Sequence, residues 1–322
     1  TGANNIAMGQ NAADALTSGA CNIAMGPVAL GAATTGFHNV ALGNLALGVS
    51  TTGCYNVAIG KSALGGANLI GDLNIAIGSG AGDALTDADE NVAIGSNALG
   101  ASTTGCYNIA IGQSSMANAT TGCKNIAIGQ QAMISAVTGN NNIAIGNFAG
   151  DALLAGHTNV AIGLQAMTAN QSGIENVAIG VGAMRDTSGS GHYNVAIGKY
   201  ALGQADTSGN NNVAIGNAAA DEVTTGACNV AIGTGALSGA TTGCENVAIG
   251  TNALGVGVVG GTSSQGLYNV AIGISAGQSA TTAVDNIFIG RAAGDSLTTG
   301  ATNIAIGLNA LGAQTTDAVC NI

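Results

Sequence analysis

All ten thiol and imidazole side chains of this chain, seven cysteines and three histidines, lie one or two residues before a recurring asparagine. Thiolates and imidazoles are the ligands that zinc and softer metals prefer, and an imidazole can also act as a general base. This shared position raises a metal site and a catalytic site as candidates. Two residues before the asparagine stand Cys54, Cys106, Cys123, Cys244, His157 and His192, and one residue before it stand Cys21, Cys228, Cys320 and His38.

The repetition itself argues against both kinds of site. Catalytic groups are expected to be unique in a chain, whereas these residues recur along similar segments. No C-x-x-C pair concentrates ligands at one point. The aspartates are isolated, and the glycine-rich calcium-binding repeat is absent. The sequence therefore predicts that the chain is not an enzyme and has no catalytic residues, no metal site and no cofactor.

The recurring asparagine begins a repeat that fills the chain. The string Asn-[Val/Ile]-Ala-[Ile/Met/Leu]-Gly dominates eighteen units, and of the eighteen intervals between asparagines thirteen are 17 residues, four are 18 and one is 23. The long interval places a six-residue insertion near residues 255–266. We expect one continuous repeat array over residues 1–322, forming a segment of a longer protein.

The repeat unit predicts a strand between tight corners. A unit of 17 residues is too short for a helix pair, which needs about 33. In each unit a constant glycine follows the strand, which indicates a positive φ or a close backbone approach, and a Thr-Thr-Gly stretch marks a second corner. We therefore expect an all-β parallel β-solenoid of about 18 coils. Stacked at ~4.8 Å, the asparagines would form a ladder of amides from coil to coil.

Six units depart from the common pattern in a way that indicates a filled interior. The eighth residue after the asparagine is Leu or Met in most units but Ala or Gly in these six, and an apolar residue then appears three places later. Either a duplicated four-coil block or a lateral contact every ~19 Å would explain the spacing. Five of the six carry an aspartate beside the change, four coils apart each time: Asp14, Asp83, Asp151, Asp221 and Asp295.

The alanine in the middle of the strand defines the predicted interface. If Val and Ile point inward, the alanine column points outward as a weakly apolar strip, interrupted only by Phe288. Such a strip is better covered by another chain than left to water, and small side chains let backbones approach closely. The predicted partners are therefore copies of this chain. The candidate interface residues are Ala58, Ala76, Ala93, Ala110, Ala127 and Ala144.

Two further sets of residues are candidates for a role at the coil corners. Cys106 and Cys123 would lie in one column on adjacent coils, ~4.8 Å apart, which is within the range for a disulfide. A small buried thiol is the alternative. Cys228 and Cys244 are also on adjacent coils but one place out of column. Four exposed tyrosines are candidate contacts with a host glycan or protein, with corner packing as the alternative: Tyr55, Tyr107, Tyr193 and Tyr268.

Composition excludes several classes of protein. The chain is 47% hydrophobic, which excludes intrinsic disorder, and its single proline excludes collagen. No apolar run approaches the ~20 residues of a membrane span, so no membrane insertion is expected. The formal net charge is −11 and the five basic residues are scattered, which argues against nucleic acid as a partner.

The motif Asn56-Val57-Ala58-Ile59-Gly60 with Ala63 resembles the head repeats of trimeric autotransporter adhesins and the related repeats of phage tail fibres. The resemblance covers the whole chain. The unit is somewhat longer than in adhesin heads, and its Thr-Thr-Gly corner is more typical of the fibre repeats. The resemblance implies a left-handed parallel β-roll that assembles as a trimer on a cell or virion surface.

Taken together, these features predict a non-enzymatic, extracellular structural segment of a surface fibre, either an adhesin head or shaft or a phage tail-fibre shaft. The alternative class is a binding module whose coils recognise a glycan or a protein. Two remote alternatives are a hexapeptide-type acyltransferase, because Ile-Gly-x-x-Ala-Leu resembles its six-residue unit, and an ice-binding solenoid, because Thr-Thr pairs recur.

Overall fold

Eighteen strands of three residues each, one in every repeat, make up the regular structure. This computed structural model describes residues 2–135, 137–186, 190–205, 207–255, 266–313 and 319–321. The predicted insertion near residues 255–266 lies almost entirely outside the described residues. The strands are β1 (Ile6–Met8), β2 (Ile23–Met25), β3 (Val40–Leu42), β4 (Val57–Ile59), β5 (Ile75–Ile77), β6 (Val92–Ile94), β7 (Ile109–Ile111), β8 (Ile126–Ile128), β9 (Ile143–Ile145), β10 (Val160–Ile162), β11 (Val177–Ile179), β12 (Val195–Ile197), β13 (Val213–Ile215), β14 (Val230–Ile232), β15 (Val247–Ile249), β16 (Val270–Ile272), β17 (Ile287–Ile289) and β18 (Ile304–Ile306).

The strands fall into two compact units, in each of which every strand pairs in parallel with that of the next repeat. One unit is Thr1–His157, with β1–β9, and the other is Thr158–Ile322, with β10–β18. The register places like residues opposite each other, as in Ala58↔Ala76. None of the described residues is in a helix. The predicted all-β parallel solenoid with one coil per repeat is confirmed, whereas a single continuous array stays a prediction.

The glycine after each strand forms a corner that requires glycine. Its φ lies between 126° and 141° in all eighteen repeats, a region that side chains with a Cβ rarely adopt. A Cβ on Gly60 would also lie 2.6 Å from the carbonyl oxygen of Gly78 in the next coil. Positive φ and close backbone approach, the two reasons offered by the sequence, therefore both apply.

Other corners adopt the left-handed conformation with ordinary residues. Around β4 these are Tyr55, Ser62 and Leu64, with φ of 58°, 56° and 50°. Each such residue costs roughly 1–2 kcal/mol. Hydrogen bonds between coils offset this cost, since the Ser62 N–H donates to the Asn44 carbonyl and the Leu64 N–H to the Ala81 carbonyl, both at 2.9 Å.

The interior is narrow and is filled by asparagine, alanine and one larger aliphatic side chain per coil. In the coil of β4, Ala58, Ala63 and Leu64 are each at most 1% exposed. The predicted orientation of the strand is therefore wrong, because the alanine column points inward and the Val and Ile columns point outward. The reason is the asparagine two residues before the alanine. It lies on the same strand face, and its ladder must be shielded from water.

The asparagine ladder itself is confirmed. The backbone N–H of Asn108 donates to Oδ1 of Asn91 at 2.9 Å, and its Nδ2 donates to the Gly122 carbonyl at 2.8 Å. The Oδ1 of Asn108 in turn accepts from the N–H of Asn125 at 2.9 Å. Because Asn108 is 0% exposed, these bonds replace those that water would otherwise supply.

In the exceptional coils of β5 and β9 the compensating leucine fills the interior space from another position, as predicted. A Cβ on Gly82 would lie 2.9 Å from a Leu64 methyl and 3.1 Å from a Leu85 methyl, so Leu85 occupies the room that the usual Leu or Met would take. Leu16, in the first coil, is only partly buried. The other five compensating residues are at most 1% exposed: Leu85, Leu153, Val223, Ala280 and Leu297.

Phe288 explains the one exceptional coil that lacks an aspartate. It interrupts the alanine column, and it is the only aromatic side chain buried among the described residues. A Cβ on Gly277 would lie 2.6 Å from Cδ2 of Phe288, and a Cβ on Gly294 would overlap the other edge of the same ring. Glycines at the eighth place of two adjacent coils therefore make room for one phenylalanine.

Candidate interaction surfaces

The longest uniform surface is the outer strand face, which we define as the first and third residues of all eighteen strands. Every one of these residues is Val, Ile, Leu or Met. In β5, Ile75 is 38% exposed and Ile77 is 37% exposed, while Ala76 between them is 0% exposed. In each of the two compact units this face is two side chains wide and about 40 Å long. Soluble monomers rarely expose a continuous apolar strip of such length.

The six alanines proposed as the interface do not reach any surface. Each is at most 1% exposed within its own chain. A side chain that is buried in its own coil has no area left for another chain, so the predicted outward strip is wrong at these positions. The residues concerned are Ala58, Ala76, Ala93, Ala110, Ala127 and Ala144. The apolar surface next to them belongs to Val and Ile.

The four predicted contact tyrosines do lie at the surface. Tyr55 and Tyr193 are 48% exposed, and Tyr107 and Tyr268 are 50% exposed. Each occupies a left-handed corner just before the asparagine, with φ between 58° and 61°. The Tyr55 N–H donates to the Phe37 carbonyl of the preceding coil at 3.0 Å, which fixes this backbone. Their role as contacts with a ligand stays a prediction.

An exposed aromatic cluster, consisting of Phe37, His38 and Tyr55, was missed by the sequence reasoning. The rings of His38 and Tyr55 stack, with centroids 5.0 Å apart and planes 11° apart. Phe37 meets Tyr55 edge-on at 5.3 Å and His38 edge-on at 5.6 Å. Phe37 is 39% exposed. The signal was present in the repeat, because His38 and Tyr55 occupy the same column of adjacent coils.

The position two residues before the asparagine is an acceptor column. Where this position holds Cys, Asp, Asn or His, a side-chain atom accepts a hydrogen bond from the backbone N–H of the equivalent residue in the preceding coil. Asp72 Oδ1 accepts from Cys54 at 2.7 Å, Cys123 Sγ from Cys106 at 3.2 Å, and His157 Nδ1 from Asn140 at 3.0 Å. Cys, Asp, Asn and His all offer such an acceptor, which explains why these types recur there.

The acceptor column also locates the predicted disulfide partners. Cys106 and Cys123 are neighbours on adjacent coils, as predicted, and the structure holds both as free thiols. Burial raises the pKa of Cys106, and the nearby Cys123 and Asp89 raise it further. Among the described residues, no group of three or more His, Cys, Asp or Glu could hold a metal ion.

Three of the regularly spaced aspartates lie at corners that are partly shielded from solvent. Asp221 is 8% exposed; its Oδ2 accepts from Nε2 of Gln204 at 2.8 Å, and its Oδ1 has no hydrogen-bond partner. Burial raises the pKa of Asp221 to about 6, and the neighbouring Glu222 adds to the shift. Burial likewise raises the pKa values of Asp83 and Asp151.

Two of the five basic residues meet at one tyrosine. The Arg185 guanidinium lies 5.1 Å and the Lys199 ammonium 5.2 Å from the centroid of the Tyr200 ring. Arg185 also pairs with Asp186, with Nη2 and Oδ2 2.7 Å apart. Because its charge is already satisfied by Asp186, this cluster is less suited to bind an anion than two free cations would be.

No protein-family model matches the chain, and no curated protein matches it with significant similarity. Among the described residues, no helix has the length and apolar character to span a membrane.

Proposed function

We propose that this chain is a non-enzymatic structural segment of an extracellular fibre, assembled from copies of itself through the outer strand face. The observation that carries the proposal is the unbroken aliphatic character of that face in all eighteen strands. A solenoid fold, with one short strand stacked on the next, is compatible with a fibre-like structural protein.

The outer strand face is not needed by the core of its own chain. The inward alanines and the Leu or Met of each coil already fill the interior. Exposed strands usually carry Thr, Lys or Glu, which protect the surface from unwanted association. An aliphatic strip of about 400 Å² in each compact unit is as large as the largest apolar patch of a typical soluble monomer, about 300–600 Å², and patches of that size are often functional. Its persistence supports a partner that covers it.

A second copy of the chain is the partner that fits best. Its outer strand face has the same coil spacing of ~4.8 Å, so the ridges of one copy can match the grooves of the other over many coils. None of the residues of this face carries a charge that association would have to desolvate. The resemblance to adhesin heads and tail fibres favours three copies and a cell or virion surface.

The use of cysteine and histidine supports a structural role rather than an enzymatic one. Of the six Cys and His in the acceptor column, Cys106, Cys123, Cys244, His157 and His192 accept a hydrogen bond from the preceding coil, as Asp72 does. Cys, His, Asp and Asn are expected to replace one another at a position that needs a hydrogen-bond acceptor and not a particular reactivity.

Light scattering after size exclusion tests the proposed assembly. We expect the full chain to elute with the mass of a small whole number of chains, unchanged over a hundredfold dilution. A stable single chain at micromolar concentration would refute assembly through this face, since burial of so much apolar area should resist dilution.

The second candidate function is a binding module, and the exposed aromatic cluster favours it. Exposed aromatic side chains that are already ordered supply contact area at a low entropic cost. A glycan array compares the full chain with a Phe37→Ala/Tyr55→Ala variant and with Tyr107→Ala, which removes a tyrosine from the same kind of corner outside the cluster. Loss of a glycan signal in the double variant alone would support binding there. Equal signals for all three would exclude it.

A further inference from the structure

We propose that Cys106 and Cys123 form a two-coordinate site for a soft d¹⁰ cation such as Cu(I). The two thiols occupy the acceptor column of adjacent coils, where β7 and β8 pair in register. Both are partly accessible to solvent, so an ion can reach them.

The two sulfur atoms have equivalent surroundings one coil apart. Cys123 Sγ accepts from the Cys106 N–H at 3.2 Å, and Cys106 Sγ accepts from the Asp89 N–H at 3.4 Å. Each thiol also donates to the carbonyl two residues earlier, Cys106 to Thr104 at 3.4 Å and Cys123 to Thr121 at 3.5 Å. Because the contacts repeat with the coil, the sulfurs are separated by about the coil spacing, ~4.8 Å.

That separation fits a bridging cation better than a disulfide. Two bonds as long as a zinc–sulfur bond, about 2.3 Å, span ~4.6 Å in a line, and the shorter bonds of a two-coordinate Cu(I) ion span somewhat less, so the ion fits with a small approach of the two sulfurs. A disulfide requires the sulfurs to approach to about 2.05 Å, and one thiol would have to abandon both of its hydrogen bonds. The disulfide predicted from the sequence spacing is therefore more costly to form than the bridged cation site.

The number of ligands selects the kind of ion. Zinc in structural sites takes four ligands, and no group of three or more His, Cys, Asp or Glu that could hold a metal occurs among the described residues. Soft thiolate ligands suit Cu(I), zinc and iron–sulfur clusters, and structural zinc and the clusters need four protein ligands. A pair of thiolates in line is therefore a site for a soft ion that accepts two ligands.

Binding exchanges protons for the cation. Two thiols release two protons, and Cu(I) with two thiolates leaves one net negative charge at the site. The N–H groups of Asp89 and Cys106 already point at the two sulfurs and stabilise this charge. The Asp89 carboxylate opposes it, and burial raises the pKa of Cys106. Affinity should therefore rise with pH.

The chain contains a matched control pair. Cys228 and Cys244 also lie on adjacent coils, but Cys244 is in the acceptor column and Cys228 is one residue further along its coil. Cys244 Sγ accepts from the Ala227 N–H at 3.3 Å, so it faces the residue before Cys228. This pair offers two thiols without the equivalent placement that the proposed site requires.

Anaerobic titration of the reduced full chain with Cu(I), in competition with a chromophoric Cu(I) chelator, tests the site. We expect one tight equivalent in the wild type and in Cys228→Ser/Cys244→Ser, and a loss of at least 100-fold in affinity in Cys106→Ser and in Cys123→Ser. Serine keeps an acceptor for the backbone N–H, so the fold should persist, which circular dichroism checks. Unchanged affinity in either single variant, or loss in the control pair, would overturn the proposal.

Oxidation provides the second measurement. With diamide as the oxidant, which takes up two electrons and two protons, the sulfur separation predicts that Cys106 and Cys123 form a disulfide no faster than the control pair. Rapid formation of that disulfide, mapped in an unreduced digest, would show that the sulfurs meet easily and would contradict the separation on which the site depends.

Discussion

The two faces of the three-residue strand follow different rules. The inner face carries asparagine and, except at Phe288, alanine, and it is buried in every strand but β1, as at Ala76, which is 0% exposed. The outer face carries Val, Ile, Leu or Met and is partly exposed in most strands, and in β5 Ile75 and Ile77 are 38% and 37% exposed. The inner residues are fixed by the width of the coil and by the amide ladder. The outer residues are aliphatic although their own coil does not require it, so another surface must account for them.

Phe288 shows how strictly space limits the inner face. A phenylalanine fits the alanine column only where the adjacent coils carry Gly277 and Gly294 in place of a larger residue. Volume is therefore conserved across neighbouring coils and not at single positions, which is the behaviour of a close-packed interior.

The largest effect is expected from an aromatic residue placed on the inner face without such compensation. Ala110→Phe meets Leu99 and Met116 at the two places where Phe288 finds glycine. It should destabilise the chain by more than about 3 kcal/mol, measured by urea unfolding. Ile111→Phe on the outer face is the control and should change stability by less than about 1 kcal/mol.

A rescue experiment sharpens this test of the inner face. Adding Leu99→Gly and Met116→Gly to Ala110→Phe recreates the arrangement around Phe288 and should recover part of the lost stability. If Ala110→Phe proved as harmless as Ile111→Phe, the inward orientation of the alanine column would be wrong.

Removal of one amide from the ladder should have the next largest effect. Asn108→Ala deletes the donor to Gly122 and leaves the N–H of Asn125 without its acceptor. Buried polar groups left unpaired cost about 1–3 kcal/mol each, so we expect a loss of about 2–4 kcal/mol in urea unfolding. Asn118→Ala, at an exposed position, should change the free energy of unfolding by less than about 0.5 kcal/mol. Equal effects in the two variants would argue against the ladder as a source of stability.

The corner that holds Asp221 should tolerate an amide side chain better than a carboxylate. Because the pKa of Asp221 is raised to about 6 from an ordinary value of 3.8, the folded chain holds this proton more tightly than the unfolded chain. Its contribution to stability is therefore fully present below pH 3.8 and is lost as the pH rises to about 6. The loss should be about 3 kcal/mol.

Thermal unfolding of Asp221→Asn between pH 3.5 and 7.5 checks this dependence. The variant should lack that loss, while the exposed Asp285→Asn should unfold with the same pH dependence as the wild type. If the Asp221→Asn variant lost as much stability between pH 4 and 6 as the wild type, the burial of this carboxyl group would be contradicted.

The smallest effect on the stability of a single chain is expected on the outer face. Ile109→Thr keeps a β-branched side chain on a partly exposed strand position, so unfolding of the dissociated chain should change by less than about 1 kcal/mol. A loss as large as that of Asn108→Ala would mean that the outer face packs within its own chain.

The repeat made much of the fold predictable. The period, the constant glycine and the asparagine predicted the solenoid, the tight corner and the ladder, and the exceptional coils predicted the compensating Leu85 and Leu153. The predicted direction of the strand faces is wrong because Val-Ala-Ile alternates in the same way whichever face is inside. Placing the asparagine and the alanine on one face would have decided the orientation.

Other features had no signal in residue type alone. The left-handed corners at Ser62 and Leu64 depend on hydrogen bonds to neighbouring coils, which propensities for single residues do not contain. The acceptor column mixes Cys, Asp, Asn and His, and these share only the ability to accept a hydrogen bond from the coil before them. The aromatic cluster was visible once His38 and Tyr55 were aligned in one column.

Charge placed on the outer strand face tests the proposed assembly most directly. Ile94→Lys, Ile111→Lys and Ile128→Lys together add three ammonium groups to β6, β7 and β8. The matched control adds the same three to the same coils two residues later, at exposed positions, as Ser96→Lys, Gln113→Lys and Gln130→Lys. In size exclusion with light scattering, the outer-face variant should elute with the mass of a single folded chain and the control with that of the wild-type assembly. Assembly of the outer-face variant as complete as that of the control would contradict the central claim.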